Sequence, residues 1–142
     1  MLPLAGYVDM SDFKLYLSDV GLLTMKSGMP QQLLIGSHED NTYIGGIVEN
    51  YVAMQLASNH HKLYYWKSEG IAEIDFMLQQ QAQIIPIEVK AGIRTKSRSL
   101  SVYSEKYHPE LVYRISQKTF GLANNIKSVP LYAVFCISDY EI

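Results

Sequence analysis

The segment Ile84-Ile85-Pro86-Ile87-Glu88-Val89-Lys90 constrains this chain more than any other. Its aliphatic residues read as a buried β-strand, yet Glu88 and Lys90 are embedded in it. Residues two apart in a strand share a face, so the two charges project together, opposite Ile87 and Val89. A charge inside a buried strand is costly unless it is paired or bound to a metal ion. Any fold for this sequence has to supply such a partner.

The flanking sequence places this strand in a meander. Residues 62–67 (Lys-Leu-Tyr-Tyr-Trp-Lys) are aromatic-rich and strand-like, and 68–70 form a turn. Residues 71–78 are a second strand, and a polar tip at 79–83 leads into the third, at 84–90. Short polar connections make the three antiparallel. Before them, Ile44, Ile47, Val48, Tyr51 and Val52 recur at three- and four-residue spacing and predict a helix over 43–59.

After Gly92, a basic, hydroxyl-rich loop leads to a helix at 98–106 with Leu100, Val102, Tyr103 and Tyr107 inward, stopped by Pro109. Strands are expected at 111–116 and, beginning after Asn124-Asn125, at 129–137. Near the start, the alternation in 13–17 predicts a short strand. Ser18-Asp19 offers an N-cap for a brief helical turn ended by Gly28 and Pro30, and 30–42 reads as a loop or short helix. The order is α-β-β-β-α-β-β after a short N-terminal strand, an α/β domain around a mixed sheet.

A length of 142 residues suits one main core, and 48% apolar with 18% charged residues is a globular profile. The single cysteine, Cys136, forms no internal disulfide and is expected as a buried thiol, which suits a reducing compartment. No apolar run is long enough to span a bilayer, and the first residues do not form a signal peptide. A soluble, cytoplasmic domain with no membrane partner is therefore expected. The net charge of −2 is unevenly spread: residues 1–89 carry four basic and ten acidic side chains, and 90–142 carry eight basic and four acidic. That gradient can set a cationic face beside an acidic site, as an enzyme acting on a polyanion needs. A chance gradient of solvated charges is the simpler alternative.

If the second and third strands pair as a hairpin, Asp75 and Glu88 sit side by side with Lys90 one pleat along. Two carboxylates and a lysine so arranged suit a hard cation such as Mg²⁺, which takes oxygen ligands, while the lysine orients or deprotonates a bound water. A surface Glu–Lys pair is the bland alternative. Arg94, Lys96 and Arg98, interleaved with Ser97 and Ser99, are candidate phosphate contacts or a solvated loop. Tyr64, Tyr65 and Trp66 fit a core better than a base-stacking surface, and His60-His61 cannot share a helical face as metal ligands.

The run Asp75, twelve residues, Glu88-Val89-Lys90 resembles the signature of the PD-(D/E)XK nuclease superfamily. Taken together, Phe13–Leu23, Gly46–Val52, Leu63–Trp66, Glu73–Phe76, Pro86–Lys90 and Pro130–Tyr132 are similar to a domain of unknown function. That domain lies C-terminal to an AAA-type ATPase module in bacterial and archaeal ATPases. The resemblance implies a restriction-endonuclease-like αβββαβ core over 31–142, with 1–30 as the tail of a preceding region. It implies Mg²⁺, with Mn²⁺ as a substitute, held by Asp75 and Glu88 with Glu49 in support. Asp75, Glu88, Lys90 and Glu49 would then be catalytic and Arg94, Lys96 and Arg98 would meet DNA. The implied activity is hydrolysis of DNA phosphodiester bonds, or, alternatively, non-catalytic binding of DNA or protein that regulates the attached ATPase. Residue 74 is Ile where the superfamily's name has Pro, and no Gly-x-x-x-x-Gly-Lys-Ser/Thr loop for ATP is present.

Overall fold

A computed structural model describes residues 2–35, 42–94 and 96–138. A six-stranded mixed sheet forms the centre, in the order β1-β2-β3-β4-β6-β5. The strands are β1 (Tyr64–Lys67), β2 (Glu73–Gln80), β3 (Gln83–Val89), β4 (Val112–Ser116), β5 (Gly121–Ala123) and β6 (Ile126–Pro130). The helices are α1 (Val20–Ser27), α2 (Thr42–Ser58) and α3 (Arg98–Tyr107). The protein is thus a mixed α/β fold with the expected αβββαβ order.

The meander forms because β2 and β3 meet through a two-residue tip. Gln80 pairs with Gln83, and Gln81 takes the positive φ of 51° that so tight a turn demands. From β3 the chain crosses through α3 and returns as β4 parallel to β3, and β6 lies parallel to β4. Pro86 is tolerated because alternation turns its nitrogen, which has no N–H to donate, toward β4, and the β3–β4 ladder begins only at Ile87.

Each face of the sheet has its own core. On one, α2 and the 3₁₀ turn Leu131–Cys136 cover Phe76, Leu78, Ile87, Ile115 and Val129, with Val52, Ala53 and Leu56 as the α2 side of the packing. On the other, α3 brings Leu100 and Tyr103 onto Ile74, Met77 and Val112. Here Trp66 meets Tyr103 and Tyr107 edge-on, at 5.1 and 5.8 Å between ring centroids. The β1 aromatics therefore contribute to packing on this face.

Several expectations change. Residues 13–17 run extended but pair with no strand, and their alternation is inverted. Phe13 and Leu15 are 75% and 84% exposed, while Lys14 and Tyr16 turn inward toward carboxylates. Asn50 on α2 substitutes for a neighbouring strand. Its amide accepts from Leu17 N at 2.8 Å and donates to Leu17 O at 2.9 Å, and the residue is only 4% exposed.

The last strand ends at Pro130 rather than 137. β4 stops at Ser116, so the chain beyond Pro130 has no ladder partner, and it coils to bury Ala133, Val134 and Ile137. Cys136 is consequently exposed, not a buried thiol. The hairpin of β5 with β6 about Asn124-Asn125 adds a strand absent from the expected order, with Asn124 at φ 55°. Val102 faces outward on α3.

Other expectations are met. Asp19 caps α1 by accepting from Leu22 N, and Gly28 ends it at φ 66°. Residues 30–42 include a 3₁₀ turn, Gln31–Leu34, and 36–41 lie outside the described residues. His61 is buried with Nε2 2.8 Å from Ile137 O, a structural contact at the end of α2.

Asn50 is a feature that periodicity alone does not reveal. Asn50→Ala leaves a backbone N–H and C=O of Leu17 without partners, and we expect a loss of about 2–3 kcal/mol in chemical denaturation. Asn50→Asp, which keeps the acceptor but loses the donor, should recover little of it.

Candidate functional site

The carboxyl ends of the parallel strands β3 and β4 lie side by side, and the candidate residues gather around that end of the sheet. In open α/β sheets ligands bind in the crevice beyond the carboxyl ends of the strands. Glu88 and Lys90 come from the end of β3 and Arg114 from β4, paired with Glu88 in the ladder. Asp75 comes from the antiparallel strand β2 and Glu49 from α2.

A register irregularity in β2 sets the directions of these side chains. Tyr64 pairs with Met77 and Trp66 with Ile74, so Asp75 and Phe76 together face the single residue Tyr65. This is a β-bulge, which turns both extra-strand side chains to one side. Ile74 and Met77 lie three apart, yet both pack under α3. Phe76 packs under α2, and Asp75 turns with it toward α2. Glu88, by contrast, alternates with Ile87 and Val89, which pack on the α2 side, and therefore projects to the α3 face. The expected side-by-side placement of Asp75 and Glu88 on one face is corrected by this bulge.

Each carboxylate has its own partners. Asp75 accepts from Val89 N at 2.7 Å, taking a ladder donor of β3. Burial, opposed by that hydrogen bond and aided by the charge of Glu49, pushes its carboxyl up to about 6. Lys14 donates to Glu49 at 2.9 Å and bridges to Glu73, and Tyr16 Oη donates to the same Glu49 oxygen at 2.6 Å. Burial pulls the Lys14 ammonium down, but the hydrogen bonds to Glu73 and Glu49 outweigh it and hold the group above its ordinary value. Burial and the Glu49 hydrogen bond raise Tyr16, so its hydroxyl stays protonated.

On the other face, Glu88 is 3% exposed and accepts from Arg114 Nε at 3.3 Å, with Lys90 Nζ at 3.5 Å. The structure thus joins Glu49 to Lys14 and Glu73, and Glu88 to Lys90 and Arg114. Lys90 also acts on Asp75 through its charge. Among the described residues no three His, Cys, Asp or Glu side chains gather so as to hold a metal ion.

Arg94, Lys96 and Arg98 are exposed, between the end of β3 and the first turn of α3, where Ser97 caps the helix by accepting from Leu100 N. Thr95, between Arg94 and Lys96, lies outside the described residues. Spacing in the sequence does not single out Lys14, Tyr16 or Arg114. The usable signal is the inward period-two placement of Lys14 and Tyr16, masked because Phe13 and Leu15 are the apolar members. A groove of about 610 Å³ separates the N-terminal segment from β1, with Phe13, Tyr65 and Asp75 in its walls.

Two outcomes test this electrostatics. Asp75 carries a carboxyl pKa that is higher folded than unfolded, so the folded state binds its proton more tightly and its contribution to stability falls as pH rises from about 4 to about 6. Asp75→Asn should therefore gain about 2 kcal/mol over wild type at pH 7.5 and little at pH 4, read from urea denaturation at both pH values. Arg114→Met should cost about 3 kcal/mol by leaving Glu88 under-compensated, and adding Glu88→Gln should recover part of that loss in a double-mutant cycle.

Comparison with known proteins gives the site a family setting. Two uncharacterized proteins, from Mycobacterium bovis and Mycobacterium tuberculosis, are each 28% identical over 123 residues, covering 82% of this chain and 27% of the relative. The chain thus spans about a quarter of the length of these relatives. No solved structure gives a significant match. A family described as a domain of unknown function, DUF4143, matches residues 44–134, well over half of the chain and inclusive of Glu49, Asp75, Glu88 and Lys90, while Lys14 and Tyr16 fall outside the match. The chain belongs to this family.

Proposed function

We propose that this chain is a nuclease-like module of a larger AAA-type ATPase, and that it binds DNA and regulates the ATPase without cutting. The observation that supports the non-catalytic reading is the β2 bulge, which turns Asp75 toward α2 while Glu88 alternates onto the α3 side beside Arg114. The αβββαβ order and the positions of these residues in the chain support the kinship with PD-(D/E)XK nucleases. The share of each relative left unmatched leaves room for an ATPase module.

Mg²⁺, or Mn²⁺, is the ion that the resemblance implies for Asp75, Glu88 and Glu49. In this arrangement Arg114 and Lys90 neutralise Glu88, and Lys14 neutralises Glu49. The donor set as arranged therefore does not fit one shared ion, and no hydrolytic step is assigned to it. DNA contact is supported by the exposed Arg94, Lys96 and Arg98 at the carboxyl end of β3, since neutralised backbone phosphates dominate nucleic-acid affinity.

A second reading, Mg²⁺-dependent hydrolysis of DNA phosphodiester bonds, is favoured by one observation. The charge of Lys90 acts on Asp75 while its ammonium pairs with Glu88, so this lysine is shared by both halves of the signature. The two readings separate in one experiment on the full-length protein. Plasmid and linear DNA are incubated with Mg²⁺ or Mn²⁺, and binding is followed by fluorescence anisotropy. We expect DNA to stay intact, and the Arg94→Ala/Lys96→Ala/Arg98→Ala variant to bind more weakly, with a salt slope shallower by about 0.9 for each phosphate that the variant no longer neutralises. Divalent-dependent cleavage that disappears in both Asp75→Asn and Glu88→Gln would overturn the non-catalytic reading.

A further inference from the structure

Strand β1 stands at one edge of the sheet, with β2 as its neighbour. The groove of about 610 Å³ touches all four of its residues, Tyr64, Tyr65, Trp66 and Lys67. Their side chains go to opposite faces. Trp66 packs against Tyr103 beneath α3, whereas the Tyr65 ring lies 5.3 Å from Lys14 Nζ on the α2 side. A space in contact with consecutive residues of a strand therefore follows its outer edge. The far wall is the N-terminal segment, where Tyr7 and Phe13 are 65% and 75% exposed. This segment reaches β1 through the Asp12 carboxylate, which accepts from Lys67 at 2.9 Å. Among the described residues, no backbone hydrogen bond joins the two.

An open edge presents backbone N–H and C=O groups ready to pair with another chain, and proteins ordinarily cover or blunt it. Here the cover stands off and leaves a walled channel. An extended segment that enters it can hydrogen-bond to β1 and set alternate side chains against the walls. The four residues of β1 offer a ladder about 13 Å long. A helix satisfies its own backbone groups and would leave this edge unpaired.

Charge narrows the choice of occupant. The walls carry Asp9, Asp12 and Asp75 against Lys14 and Lys67. Lys67 is paired with Asp12, and Lys14 is already shared by Glu49 and Glu73. Lys90, whose charge also acts on Asp75, is paired with Glu88. Asp75 Oδ2 accepts from Val89 N, and its other oxygen has no hydrogen-bond donor among the described residues. Lys62 and Glu69 flank β1 in sequence and offset one another. The residues outside the described set add no lysine or arginine, and they include Glu39, Asp40, Asp139 and Glu141. The excess at the groove is therefore acidic. It repels a polyanion, and a second copy pairing through its own β1 would set two acidic grooves against each other.

We infer that the edge of β1 is a docking site for an extended strand of a partner protein, with apolar side chains against Tyr7 and Phe13 and a lysine or arginine reaching Asp75. The inference is independent of DNA binding by the module.

The test presents the full-length protein to a phage library of random twelve-residue peptides, and a fluorescein-labelled copy of the enriched sequence is then measured by anisotropy. We expect enriched peptides with alternating apolar residues and one lysine or arginine. Asp75→Asn should weaken binding about tenfold and abolish the advantage of lysine over norleucine at that position. N-methylation of alternate peptide amides should abolish binding in one frame and spare it in the other, because a strand added at an edge pairs on one side. Tyr7→Ala/Phe13→Ala, at two exposed positions, should also weaken binding several-fold, and circular dichroism checks the fold of each variant. The docking site is overturned if no sequence is enriched, if the enriched peptides lack a cation, or if they bind Asp75→Asn as tightly as wild type. It is overturned as well if N-methylation in either frame has no effect. If sedimentation shows a wild-type dimer that the peptide dissociates, the edge belongs to a second copy and the partner strand is overturned.

Discussion

The bulge that sets Asp75 and Phe76 against the single residue Tyr65 is the constraint from which the site follows. A strand without it would carry Asp75 to the face of Glu88 and give the paired carboxylates that the spacing suggests. One extra residue in the ladder re-aims a side chain through half a period, and here it moves a carboxylate from one core to the other. On its new side Asp75 is half-buried in the wall of the groove beside the N-terminal segment and takes the Val89 N–H, where the β2–β3 ladder ends. The bulge thus decides both the direction of the carboxylate and the end of the pairing.

Both faces set internal cations against carboxylates, a buried one under α3 and two half-buried ones under α2. Under α3, Glu88 is compensated by Arg114 from the parallel neighbour and by Lys90 from its own strand. Under α2, Glu49 and Glu73 share Lys14, which arrives from far upstream in sequence. Such pairs add little net stability compared with apolar packing, but removing one partner is expensive. The N-terminal segment is for that reason part of the domain's charge balance. Asn50 holds its backbone, Lys14 its charge and Tyr16 its hydroxyl against α2.

Much of the fold was legible because its signals are local. The hairpin tip, the Asp19 cap, the α2 stripe and the stop after α3 are each written within a few residues. What escaped depended on distant partners. Residues 13–17 have a strand's alternation, but a strand also needs a ladder, and Asn50 supplies only one rung. Residues 131–137 are as apolar as a strand, but β4 ends at Ser116 and leaves them nothing to pair with. The candidate site was legible as a set of residues and not as an arrangement. Glu88 with Lys90 follows from period two, whereas Arg114 joins them only through the parallel register of β3 and β4.

Hydrophobic period and turn chemistry act over a few neighbouring residues, and from them follow the αβββαβ order and the carboxylates and lysine set within the strands. Which charges meet follows from contacts between elements far apart in the chain. A bulge is defined only by its partner strand, and an ion pair between Lys14 and Glu49 spans 35 positions that no local rule connects. The free energy of a buried charge depends on what surrounds it in space, and that is settled only when the sheet, its two helical faces and the N-terminal segment come together.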